Sequence, residues 1–150
     1  MVELILVRHG ESAGNVAAAE AVAANEDVID APMRDADVPL SDAGTDQARA
    51  LGDGLRELPD PDLVWSSPYV RALETARLAL EGAGLDLPIR VDERLRDREL
   101  GVLDLLTMQG VKARFPQEPE RRRWLGKFER LEVRVHTQRR TVSGVRPGST

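Results

Sequence analysis

Cysteine is absent from this 150-residue sequence, which excludes disulfides and thiolate metal sites. Histidine is scarce: His9 and His136 are the only two. A multi-histidine metal centre is therefore not expected, nor any other metal. Excess positive charge is missing too, the formal net charge being -5. No global basic field invites nucleic acid or a membrane surface. Long apolar runs are lacking as well. The stretch Leu4-Ile5-Leu6-Val7 ends at Arg8, too short for a signal peptide or a membrane span, and a cytoplasmic protein is the expectation. What remains is an ordinary domain-sized chain. Hydrophobic residues at 41% are enough for a core, and charged residues at 31% argue against a fibre or a low-complexity chain.

The apolar and polar patterns predict alternating strands and helices. Leu4–Val7 reads as a strand buried on both faces, as in a parallel sheet. Residues 14–25 are alanine-rich and read as a helix, and residues 26–40, with Pro32 and Pro39, read as a loop. Ser41 is an expected helix N-cap. Ala48, Leu51, Leu55 and Leu58 then mark one buried face of a helix ended by Pro59 and Pro61. A second buried strand is expected over 62–67. Val70, Leu73, Ala76 and Leu80 mark the next helix, stopped by Gly82 and Gly84. Ile89–Val91 is a third strand, and 107–114 and 118–124 are expected helices. This order predicts an α/β fold with a mainly parallel sheet. Leu131, Val133 and Val135 alternate with polar residues, the period of an exposed strand. Residues 137–150 are polar and arginine-rich and are expected to lack fixed structure.

Two segments carry chemistry. Arg8-His9-Gly10-Glu11-Ser12 directly follows the first strand, and ligands of open α/β sheets bind beyond strand carboxyl ends. A neutral imidazole is a competent nucleophile at pH 7. An arginine beside it binds phosphate bidentately and absorbs charge in the transition state. Glycine after the histidine permits a sharp turn and close ligand approach. The second segment runs from Ser66-Ser67-Pro68 through Arg71 to Glu74-Thr75-Ala76, also at a strand-to-helix turn. A cation in the first turn of a helix is mildly disfavoured by the helix dipole, so Arg71 is read as serving an anion. The plain alternatives are a histidine that merely ends a strand and an arginine that is merely solvated.

Taken together, Arg8–Glu11, Pro39-Leu40-Ser41 with Gly44 and Gln47-Ala48, and Ser66-Ser67-Pro68 with Arg71-Ala72 and Glu74-Thr75-Ala76 resemble the histidine phosphatase (phosphoglycerate mutase-like) superfamily in order and spacing. The resemblance covers residues 2–128. It implies a three-layer α/β fold, with a mainly parallel sheet flanked by helices. It also implies phosphoryl transfer from a small phosphorylated metabolite through a phosphohistidine at His9, with no cofactor. Arg8 and Arg71 would hold the phosphate, and Asn15 is grouped with them as substrate-binding. A carboxylate would protonate the leaving oxygen. Leu95-Arg96-Asp97-Arg98-Glu99-Leu100-Gly101 resembles the family's acidic segment, and its spacing selects Asp97, with Glu99 as the rival. A salt bridge to Arg94, Arg96 or Arg98 is the plain alternative for either.

The resemblance fades at the C-terminus. Residues 129–150 hold five arginines and two acids, so they carry +3 of the net charge of -5. We accordingly read residues 1–128 as the superfamily-like domain, incomplete at its C-terminal side, and 129–150 as an atypical basic tail produced by frameshift or natural truncation. Family members have a second essential histidine late in the chain. The candidate here, His136, lies in an unsuited context and reads as a surface residue. Phosphatase is the leading expectation. A mutase, or an impaired phosphate-binding fragment, is the alternative. Lost strands would leave apolar edges, so homo-oligomerisation is also expected.

Overall fold

A computed structural model describes residues 3–97 and 100–120. Helix α1 spans Ala13–Ala23 and α2 spans Asp42–Leu55. Strand β1 is Val64–Ser66, α3 is Val70–Ala83, β2 is Ile89–Val91 and α4 is Met108–Arg114. The chain is thus mixed helix and sheet. Strands β1 and β2 pair in parallel, with Val64 opposite Ile89 and Ser66 opposite Val91. Helix α3 connects them and packs on both, the crossover that a parallel pair requires.

The helix starts follow local chemistry. The Ser41 hydroxyl accepts from the Gly44 amide at 3.0 Å, and Thr107 caps α4 in the same way through Gly110. Ser12 caps α1, and Asn15 completes a capping box by accepting from the Ser12 amide at 3.1 Å. Gly84, with φ of 74°, ends α3 in the left-handed conformation that glycine adopts without penalty.

The most extensive packing lies between α2 and α3, and on the α2 side small residues build it. Gly44, Ala48 and Gly52 are the buried positions of α2, spaced four apart on one face. A Cβ on Gly52 would stand 2.8 Å from the Gly82 Cα, so the two backbones nearly touch there. This corrects the expected face: Leu51 and Leu55 are only half-buried and Leu58 is 44% exposed. The helix stops at Leu55, ahead of Pro59, because Gly52 and Gly54 weaken its last turn.

The expected buried strands also need correction. Leu4–Val7 joins neither strand, and its four side chains are 43–76% exposed. In β1, Ser66 is buried but Trp65 is 49% exposed, with Arg90 over its ring. A parallel strand becomes fully buried when both faces are covered. Among the described residues α3 packs on β1 and β2, a mixed helix and parallel-sheet arrangement in line with the expected α/β fold. Residues 118–120 begin the last expected helix. Its remainder, the 131–135 strand, the 137–150 tail, Glu99 and His136 all lie outside the described residues.

Candidate active site

The three motif segments are separated in sequence but meet in space through hydrogen bonds, most of them between a backbone group and a side chain. The Gly10 amide donates to the buried Thr75 hydroxyl at 3.0 Å, and that hydroxyl donates to the Arg71 carbonyl at 2.7 Å. The loop after His9 is therefore fixed to the first turns of α3. On its other side the Glu11 amide donates to Gln47 Oε1 at 2.8 Å. The Ser41 hydroxyl reaches the Glu11 carboxylate at 2.7 Å, and the Ser41 amide reaches the Glu11 carbonyl at 2.9 Å. Glu74 closes the set by accepting from the Leu40 amide at 3.1 Å.

This packing leaves no room for side chains at two glycines. A Cβ on Gly44 would lie 1.9 Å from the Glu11 carbonyl oxygen, and one on Gly10 would lie 2.5 Å from the Gly44 oxygen. The His9 loop thus rests backbone to backbone on the first turn of α2.

His9 is half-buried, and its Nδ1 lies 2.7 Å from the Gly10 carbonyl oxygen. A carbonyl only accepts, so this contact places the proton on Nδ1 and leaves the Nε2 lone pair for chemistry. The ring lines an open hollow of about 280 Å³ with Arg8, Gly10, Glu11, Asn15 and Gln47. The expected residues Arg8, His9 and Asn15 therefore come together. Asn15 also serves the α1 cap, so its Oδ1 is engaged locally.

Arg71 is placed differently. Its side chain is 8% exposed and does not line the hollow. It donates to the Asp35 backbone oxygen at 2.5 Å and pairs with both carboxylate oxygens, at 2.9 and 3.2 Å. The Tyr69 ring lies 4.7 Å from the Arg71 guanidinium carbon and 5.5 Å from that of Arg96. Tyr69 in this way holds the segment that leads to Asp97 against the α3 start. Asp97 itself is exposed. Just upstream, the Asp92 carboxyl is pulled down from 3.8 to about 2, first by the Arg94 side chain and then by the Arg94 amide. That pair pins the short turn Glu93–Leu95.

A model described as the histidine phosphatase superfamily (branch 1) matches residues 4–146. The chain belongs to this superfamily. The match runs past Phe128, where the motif-by-motif resemblance ends. The chain is 37% identical over 120 residues to a 2,3-bisphosphoglycerate-dependent phosphoglycerate mutase of Thermobifida fusca (strain YX), covering 79% of this chain and 44% of that one. A mutase of the same description from Streptococcus pyogenes serotype M5 (strain Manfredo) is 38% identical over 105 residues, 69% of this chain and 40% of the relative. Among solved structures, Mycobacterial hydrolase 1 superposes with a TM-score of 0.59 at 32% identity, over 77% of this chain and 49% of that one. A mycobacterial glucosyl-3-phosphoglycerate phosphatase in complex with VO3 gives 0.58 at 32% identity, over 77% and 48%. The chain thus spans under half the length of each of these relatives.

Three groups in the site had no role in the sequence reading. Gln47 and Thr75 stood within the recognised motif, and their spacing was the available signal. Asp35 lies in a loop rich in aspartate, where nothing in sequence distinguishes it from Asp30 or Asp37.

Proposed function

We propose that this histidine phosphatase superfamily member transfers the phosphoryl group of a small phosphomonoester to His9 Nε2 and then to water. The observation that supports this most is the Nδ1 contact to the Gly10 carbonyl, which leaves the opposite nitrogen of a ring lining the hollow as the nucleophile. In the first step the Nε2 lone pair forms the N–P bond as the P–O bond of the ester breaks. The leaving oxygen takes a proton from a carboxylic acid, Asp97 or its rival Glu99. In the second step water attacks phosphorus as the N–P bond breaks, the electron pair returns to His9 Nε2, and the water gives a proton to that carboxylate. Arg8, Asn15 and Arg71 bind the phosphoryl oxygens and stabilise the charge that spreads over them. A cytoplasmic location accords with a metabolite substrate. Among the described residues no helix is long and apolar enough to cross a membrane.

The phosphoglycerate moiety is common to the names of the mutases and of the mycobacterial phosphatase, so phosphorylated three-carbon acids are the first substrates to try. The 37% identity to a mutase favours a second reading, in which the phosphoryl group returns to another hydroxyl. Incubating the chain with 2- and 3-phosphoglycerate separates the two: inorganic phosphate marks the hydrolase, interconversion of the isomers the mutase. His9→Ala should abolish either. Phosphate release that survives in His9→Ala contradicts the assignment.

A further inference from the structure

The pairing of Arg71 bears on how the site opens. This buried guanidinium faces three oxygens of one residue: the Asp35 carbonyl and both carboxylate oxygens. A guanidinium fork fits carboxylate and phosphate with the same bidentate geometry. Asp35 thus occupies the donors that a phosphoryl group would use. The residue sits on a short turn, Asp35–Asp37, none of whose residues is buried. Its side chain is 55% exposed. The turn's other ion pair, Arg34 to Asp37 at 2.7 Å, lies on the surface and contributes little to holding the turn in place, so the turn can loosen when Arg71 lets go. Val38, which follows, is buried and provides a fixed anchor.

We infer that Asp35 is an internal anion that latches Arg71, and that a phosphate ligand must displace it. This rests on the reading of Arg71 as a phosphate-binding residue. An arginine buried this deeply is costly to leave unpaired, so the exchange of one anion for another is favoured over simple opening. The Arg71 turn is already tied to the His9 loop through Thr75 and Gly10. Release of the side chain from Asp35 therefore frees the guanidinium while its backbone stays in place. A closed latch taxes affinity by the fraction of molecules that are open. The function of the turn is then to keep the arginine occupied until a phosphate of sufficient affinity arrives.

The test measures inorganic phosphate binding to the full chain by calorimetry, with thermal unfolding as a check on folding. Arg71→Ala should weaken binding, and Asp35→Asn should tighten it, about tenfold for a latch closed nine-tenths of the time. In the double variant Asp35→Asn should have no effect, because its target is gone. In the unaltered protein, phosphate should speed hydrogen exchange at the Asp37 and Val38 amides, which bond to the Arg34 and Asp35 carbonyls. That readout needs no substitution. If Arg71→Ala leaves phosphate binding unchanged, the phosphate-arginine reading fails. If Arg71→Ala weakens binding while Asp35→Asn is neutral or weaker, the latch alone is overturned. Tightening by Asp35→Asn that persists without Arg71 is a general charge effect and also overturns it. Unchanged or slowed exchange at the turn with phosphate bound does the same.

Discussion

Thr75 carries two hydrogen bonds on one buried hydroxyl and so ties the His9 loop to α3. Thr75→Val keeps the shape and removes both bonds, leaving the Gly10 amide buried without its partner. A loss of about 1–3 kcal/mol is expected, read as a lower midpoint in thermal or denaturant unfolding. A change within error would mean that the loop is held elsewhere. Asp92 gives a second residue-scale prediction. Its folded value of about 2 lies below the ordinary 3.8. The contact with Arg94 therefore contributes stability fully above about pH 4 and loses it as pH falls through about 2. Arg94→Ala should raise the Asp92 carboxyl part of the way toward 3.8, since the backbone amide remains. Carbon-detected NMR titration of the carboxyl reads this directly, and an unmoved value near 2 would refute the cause given.

At the scale of elements, the glycines decide the geometry. Gly44→Ala drives a Cβ into the Glu11 carbonyl, so either α2 or the His9 loop must shift. Overpacking of this kind costs about 1–3 kcal/mol, and the shift should also weaken phosphate binding. Gly54→Ala, whose Cβ meets nothing within 4 Å, should instead be neutral or mildly stabilising. Comparing the two by thermal unfolding separates close approach from helix propensity. The contrast also explains what the sequence could convey. The helix start at Ser41 was legible because capping is local chemistry. The glycine stop of α3 was legible for the same reason. The buried face of α2 was not, since apolar spacing selects leucines while the close crossing selects Gly44, Ala48 and Gly52. Within the site, Arg8, His9 and Asn15 were legible from contiguous motifs. The Asp35–Arg71 pair joins residues 36 apart across a loop with no periodicity, and so left no local trace.

On the scale of the whole molecule, the exposed face of the strand pair and the Leu4–Val7 run, which joins no strand among the described residues, dominate. Leu4, Ile5, Leu6 and Val7 are exposed, and their backbone groups join no ladder among the described residues. Such an apolar edge promotes association between chains. Sedimentation should show self-association that rises with concentration and falls in an Ile5→Lys variant. Equal association of that variant would place the contact elsewhere. All these features serve one claim, that the loop after the first apolar run presents His9 Nε2 to a phosphoryl group. The most direct test traps the phosphoenzyme with a reactive phosphoryl donor such as phosphoramidate and maps the modified atom by NMR and mass spectrometry. The account predicts an acid-labile phosphoryl group on His9 Nε2, lost in His9→Ala. A label on Nδ1, on another residue, or undiminished in His9→Ala would contradict it.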